Sequence, residues 1–473
     1  MSMLRIRFPM APTRIAALGV GAVLLTLASV LSDFVDFSRS FNLLALVEMV
    51  CFVAALLLLF ALSLDLAPWQ APWRRWEQAR WLGPARIVAT ILMLLATTVT
   101  FLLLMGFLNA VLFSPTSHVY WNDVISFNST NAQAVLQGRN PYTDDANFLP
   151  TLIRYQQAPP TPMQGPVFGY GYNYPMQPHV FAVDKAYLRD PAAYAGAFDP
   201  ATLHSYPALS FLLYVPLVAL GMNILWLHLL AYAALFVWLV SLAPRGERGW
   251  VALAAAAAVS IPLRTLMLDT EVICLTFLLV AWQYRERRWV SAVALGLGCA
   301  FKQYCWLFAP FILVDAWLRF GWREAVKRAL IVAGAFLLPN LPYLLINPRA
   351  WVASVFLPVT GALFPQGMGL VALSLGRFLP GWPPLFYAGA ELLAFAGALW
   401  LFIRYHAALH ESALLLALAP FFFAFRSPAN YFAVIPWLAL YALLTLARQR
   451  TAAREREAAA AGVTPGAVGM AGG

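Results

Sequence analysis

Apolar residues in this chain run in long unbroken blocks, several of them reaching the roughly 20 residues that a helix needs to cross a bilayer. Blocks at 15–33, 41–64, 87–113, 223–243, 250–263, 270–284, 289–302, 304–318, 327–346, 385–404, 411–425 and 430–447 predict twelve transmembrane helices. The period-two alternation of an outer-membrane barrel is missing. The expected fold class is an all-α polytopic membrane protein. The first block follows a basic start, "MSMLRIRFPM", laid out like a signal peptide. Its apolar part, about 18 residues, exceeds the usual h-region of 7–15 residues, which predicts a retained first span.

The polar punctuation orients these blocks. Arg5, Arg7 and Arg14 precede the first block, and Arg74, Arg75, Arg80 and Arg86 follow the second. Arg245 with Arg248, Arg285 with Arg287 and Arg288, and Arg319 with Arg323, Lys327 and Arg328 separate later ones. Arg404 with His406, and the tail from Arg448, complete the set. Cytoplasmic loops concentrate Lys and Arg, so both termini and all these clusters are expected inside. Residues 206–221, "YPALSFLLYVPLVALG", must then not cross, although they are apolar. The expected solution is a helix at the outer interface, where a non-spanning apolar element is allowed.

Four regions follow. Residues 1–86 hold a cytoplasmic start and two extra spans, and 87–346 a central module with an external loop at 114–222. Residues 347–450 form a C-terminal module with an external loop at 347–384, and 451–473 a disordered tail. The segment 114–205 carries six acids against four bases, opposite in sign to the internal loops.

Composition agrees with the pattern. Of 473 residues, 62% are hydrophobic and 11% charged, against about 25% charged in soluble domains. The net charge of +10 resides in the topology-setting clusters and is not a nucleic-acid footprint. Cys51, Cys274, Cys299 and Cys305 all fall in apolar blocks, where thiols act as small hydrophobes. No metal-ligand spacing is present, and neither metal nor cofactor is expected.

Candidate chemistry lies at the predicted outer ends. Asp123 opens "DVISFNSTNAQAVLQGRNPY", with Asp at a helix start and Gly138 fit for the left-handed residue past its end. Helix capping alone would explain Asp123. A carboxylate at a membrane surface beneath an overhanging segment is also a usable general base. Asn140 precedes Pro141 and is therefore extended. "PLRTLMLDTE" carries Asp269 and Glu271, "LGCAFKQYCW" carries Lys302, and "FAFRSPANYF" carries Arg426 and Asn430. Snorkelling would explain Lys302 and Arg426. Several cations meeting at one leaflet would instead suit a lipid phosphate. Tyr142, Tyr170, Tyr172, Tyr174, Tyr206, Trp121 and Trp306 are either an interfacial aromatic belt or sugar-stacking faces. "NST" at Asn128 is a glycosylation sequon in a pathway that uses one.

The ordered set resembles the GT-C superfamily, and within it the polyprenyl-phosphate-mannose-dependent transferases of glycosyltransferase family 87. The resembling stretches are Asp123 through "LQGRNPY", "HSYPALSFLLYVPL", "LDTEVICLTFLLVAWQYRERR" with "ALGLGCAFKQYCWLFAPFIL", and "RSPANYFAVIPWLALYALL". The resemblance implies inverting transfer of a hexose, mannose in that family, from a polyprenyl-phosphate donor to a lipid or glycan acceptor. The site would face outward from a membrane of the bacterial cytoplasmic type. Asp123 would be the general base and Lys302 would lie near the carrier phosphate. Asp269 and Glu271 would face the same cavity, with Arg426, Asn430 and Asn140 binding substrate and Tyr142 and Tyr206 framing it. The chain departs from that pattern in two preceding spans, a longer segment between "NPY" and "YP", and "LDTE" in the second loop. A transporter, a structural subunit, or a polysaccharide polymerase or ligase using His118, His179 and His204 are the rival readings.

Overall fold

Helices dominate because the apolar blocks leave their backbone amides no partner but one another. The computed structural model describes residues 12–32, 43–63, 82–113, 123–143, 161–194, 204–264 and 270–460. Seven helices among them are long and apolar enough to cross a membrane. Their apolar stretches are Arg14–Leu31, Leu43–Ser63, Ile87–Gly106, Leu225–Leu242, Trp322–Ile346, Pro384–Arg404 and Ala429–Ala453. The chain is an integral membrane protein of mostly helical build.

The expected number of twelve spans is corrected to seven candidate spans among the described residues. Residues 250–263, 270–284, 289–302 and 304–318 fold into the helices Arg248–Arg264, Glu271–Gln283, Arg288–Phe301 and Ala309–Phe320. At ~1.5 Å per residue they measure roughly 18–26 Å, short of the ~30 Å hydrocarbon core. Their apolarity comes from burial in protein: Glu271–Gln283 hides Val272, Ile273, Leu275, Leu278 and Trp282. Residues 411–425 break into short turns around the helix Ala413–Leu416 and a 3-10 turn, Ala419–Phe422, with Pro420 inside it.

The C-terminal helix Ile435–Ala460 is the axis of the bundle. Its apolar stretch is 78% buried, against 11% for Trp322–Ile346, which presents its sides outward. This axis runs on to Ala460, where disorder is expected from residue 451. After Thr451 the stretch "TAAREREAAA" is built of Ala, Arg and Glu, all strong helix formers, and extends a helix already nucleated.

The bundle has two unlike ends. At the basic end, Arg285 Nη2 meets Glu411 Oε1 at 2.5 Å, and Gln449 donates to the same oxygen at 2.7 Å. Arg288 and Arg328 both pair with Glu324. His406 and Arg319 both meet Asp315, at 2.8 and 3.5 Å. Ser63, whose carbonyl accepts from Ser412, and Arg448, which bonds the Leu242 carbonyl, lie with these pairs.

At the other end, residues 209–219 form two short helices, Leu209–Leu212 and Val215–Ala219, with buried Tyr214 between them. The helix Gln177–Arg189 packs Val180 and Val183 against Phe168 and Phe364. Residues 163–165 and 361–363 are bridged at Met163 and Leu363. Two short parallel strands, Gln366–Gly367 and Arg426–Ser427, extend that contact.

Candidate functional site

The helix Asp123–Leu136 begins and ends as its sequence predicts. Asp123 Oδ1 accepts the Val124 N–H at 2.8 Å, taking one of the donors a helix start leaves free. Gly138 adopts φ +70°, and Arg139 N–H reaches back to the Ala134 carbonyl at 2.8 Å. Asn140 Oδ1 then accepts the Tyr142 N–H at 3.0 Å, a local turn that reverses the chain. Tyr142 is thereby buried, and its hydroxyl donates to the Tyr206 carbonyl at 2.8 Å.

Two amides far away in sequence hold the same segment. Gln303 Nε2 donates to the Ser205 carbonyl at 2.6 Å. Asn340 Oδ1 accepts from the Ala208 N–H at 2.8 Å and from Trp351 Nε1 at 3.1 Å. Asn340 lies fully buried in the Trp322–Ile346 helix, between Pro339 and Pro342. An amide flanked by prolines inside an apolar block is the sequence signal that could have drawn attention to it.

Lys302 ends the helix Arg288–Phe301 and is buried. Its Nζ forms an ion pair with Glu271 and donates to Thr270 Oγ1 at 2.9 Å. Asn430 Nδ2 donates to the same Glu271 oxygen at 3.0 Å. The ammonium also stands 5.4 Å from the centre of the Tyr206 ring and 5.8 Å from that of Tyr431. Lys302 therefore neither snorkels nor presents a free charge: its anion is supplied by the protein. Glu271, Lys302, Asn430 and Tyr206 are gathered into one buried cluster, with Thr270 and Tyr431 as members that the sequence reading missed.

Arg426 differs. Its guanidinium donates to the Phe364 carbonyl and to Gln366 Oε1, both at 3.0 Å, and no carboxylate among the described residues pairs with it. Its direction is fixed by the two-stranded seam.

Asp123 and these cations share neighbours. Burial pushes the Tyr206 phenol above its usual range, Lys302 opposes the shift, and Asp123 and Glu271 add to it. Burial likewise pushes Tyr174 up to about 12, with Arg426 lowering and Asp123 raising it. Both phenols thus stay protonated. Asp123 acts on both phenols, together with Lys302 at Tyr206 and with Arg426 at Tyr174. Asp123 Oδ2 accepts twice from Thr161, at 3.1 Å from the backbone N–H and 2.7 Å from the hydroxyl.

Asp269, His118 and Trp121 lie outside the described residues. His204 is buried among Phe127, Tyr142, Tyr206 and Phe211, with Nε2 2.8 Å from Ser210 Oγ. Burial pushes it down to about 3, so it is a neutral packing group. His179 stacks edge-on to Phe168. Asn128 is fully buried inside its helix and presents no amide to a glycosylating enzyme in the folded state. Among the described residues, no group of His, Cys, Asp and Glu has the arrangement of a metal site.

No family model, curated protein or solved structure matches the chain.

Proposed function

We propose that this chain is a membrane glycosyltransferase of GT-C type. It moves a hexose, mannose by the family resemblance, from a polyprenyl-phosphate carrier to a hydroxyl of a lipid or glycan acceptor, with inversion. The acceptor oxygen attacks the anomeric carbon and Asp123 takes its proton. The bond from that carbon to the phosphate oxygen breaks, and the carrier phosphate leaves with the electron pair. A positioned base contributes typically 10²–10⁴-fold.

The observation that carries this reading is the pairing of an acid and an unneutralised cation at one end of the bundle. Asp123 holds Thr161, Met163 bridges Leu363, and Arg426 bonds the carbonyl of Phe364, whose ring meets that of Tyr174 at 5.6 Å. Arg426 is better suited than Lys302 to the leaving phosphate, since Glu271 already compensates the lysine. A guanidinium presents a planar fork that matches phosphate oxygens. The Lys302–Glu271 pair with Thr270 and Asn430 then serves as the frame that holds Tyr206 beside the base. The site would face outward from a bacterial-type cytoplasmic membrane.

A transporter would bury ionisable groups at mid-membrane. Glu48 and Glu391 do lie in candidate spans, Glu48 in the second turn of Leu43–Ser63 and Glu391 in the third turn of Pro384–Arg404. The test is Asp123→Asn assayed in membranes supplied with a polyprenyl-phosphate sugar. Transfer should fall about 10²–10⁴-fold at normal expression, and retained turnover overturns the assignment.

A further inference from the structure

Asp123 is the residue on which the proposed reaction turns, yet both of its oxygens are engaged. Oδ1 is held by the Val124 N–H. Oδ2, the oxygen free of the helix, accepts the N–H and the hydroxyl of Thr161. The hydroxyl contact of 2.7 Å is the ordinary length of an O–H···O bond, which is the bond an acceptor hydroxyl would make to a base.

Thr161 does not wander onto the carboxylate. It opens residues 161–174, a strap stitched down along its length. Gln164 N–H donates to the Ala362 carbonyl at 2.6 Å and its Nε2 to the Leu363 carbonyl at 2.9 Å. Its Oε1 accepts the Gly171 N–H at 2.9 Å. Gly165 and Gly169 exchange backbone bonds at 2.9 and 2.7 Å, closing a small hairpin. Tyr172 hydroxyl, at the far end, bonds the Trp382 carbonyl at 2.5 Å. The strap belongs to the long segment that sets this chain apart from the family it resembles, and the family pattern supplies no role for it.

We infer that Thr161 guards Asp123 against water and so sets the partition between hydrolysis of the donor and transfer to the acceptor. The inference rests on Asp123 being the base. A water molecule that reaches Oδ2 must displace an anchored hydroxyl and gains only an equivalent bond in return. An acceptor glycan brings binding energy from the rest of its surface, and that energy displaces the hydroxyl. In productive transfer the acceptor proton passes to Asp123, the new bond forms from acceptor oxygen to anomeric carbon, and polyprenyl phosphate leaves. In the unproductive branch water replaces the acceptor, and free hexose and polyprenyl phosphate result.

The test uses the full chain in membranes, polyprenyl-phosphate mannose as donor and octyl mannoside as acceptor probe. Free mannose and mannosylated probe are both measured. Thr161→Val keeps the volume and removes the hydroxyl, so the ratio of hydrolysis to transfer should rise about tenfold. Thr161→Ser returns the hydroxyl and should restore the low ratio. An unchanged ratio in Thr161→Val, or a serine variant that behaves like the valine, overturns the guard. If Thr161→Val does not fold, Gln164→Ala loosens the strap at Leu363 and Gly171 and should raise the ratio in the same direction; no rise there overturns it equally. Asp123→Asn is run alongside. Transfer retained in that variant removes the base assignment itself, whereas transfer lost there with an unchanged ratio in Thr161→Val removes only the guard.

Discussion

The two ends of the bundle handle charge in opposite ways. At the basic end acids are matched in ion pairs: Glu411 with Arg285 and His410, Glu324 with Arg288 and Arg328, Asp315 with His406 and Arg319. At the site end most charges have no ionic partner among the described residues, and two of these are Asp123 and Arg426. Their directions are instead fixed by neutral groups: a helix start, a threonine, a carbonyl and an amide. Paired ions stiffen a structure but offer nothing to a ligand, while aimed and unpaired ones keep their potential for it. The Lys302–Glu271 pair is the exception, a structural ion pair placed beside the chemistry.

The contrast is broken most sharply by Asp123→Asn. It should cut transfer about 10²–10⁴-fold and leave thermal stability in detergent unchanged. Next come the ion pairs. Glu271→Ala strands a buried ammonium and Glu411→Ala strands Arg285, each removal costing about 3–5 kcal/mol. Thermal unfolding should show both losses alike, and Glu271→Ala with normal stability but no transfer would move Glu271 from frame to chemistry. Arg426→Lys comes third. A point charge replaces the fork, so the donor KM should rise about tenfold with kcat less affected. An unchanged donor KM would send the phosphate elsewhere.

The smallest effect sharpens the contrast through pH. Asp184, buried on the Gln177–Arg189 helix, is pushed by burial from 3.8 to about 7. The folded state therefore holds this proton more tightly than the unfolded chain. Its contribution to stability is complete below pH about 4 and is lost as pH rises towards about 7. Glu411 runs the other way. Burial raises it, but His410 and Arg285 outweigh burial and hold it well below its ordinary value. Its contribution is present above that ordinary value, 4.5, and is lost as pH falls through the folded one. Melting temperature against pH, compared with Asp184→Asn and Glu411→Gln, should show difference curves of opposite slope. Parallel curves would erase the distinction.

What the sequence discloses follows the range of each interaction. The Asp123–Leu136 helix and its stop at Gly138 were legible because capping and left-handed glycine are local. Seven spans were legible because length and hydropathy are local too. Five further blocks misled, since hydropathy reads a face buried in protein and a face turned to lipid alike. The partner of Lys302 is 31 residues away, that of Asp123 is 38 and that of Gln303 is 98. No periodicity announces such contacts. Arg426 and Lys302 look equivalent as lone cations at the ends of apolar blocks, and only the position of Glu271 separates them.

The seam between Gln366–Gly367 and Arg426–Ser427 has a consequence for biosynthesis. A side-chain carbon at Gly367, where φ is +127°, would stand 2.0 Å from the Ser427 carbonyl oxygen, and one at Gly369 would stand 2.1 Å from that of Phe422. These two glycines let the strands close, and closure must wait for the Pro384–Arg404 helix to enter the membrane and the chain to return. Chains emerge N-terminal end first, at roughly 5–20 residues per second. Asp123 is therefore made some 300 residues before Arg426. The proposed base is made early, and the cation proposed to receive the carrier phosphate arrives with the last third of the chain. On the proposed reading, a half-made copy holds the acid without the cation that completes its site.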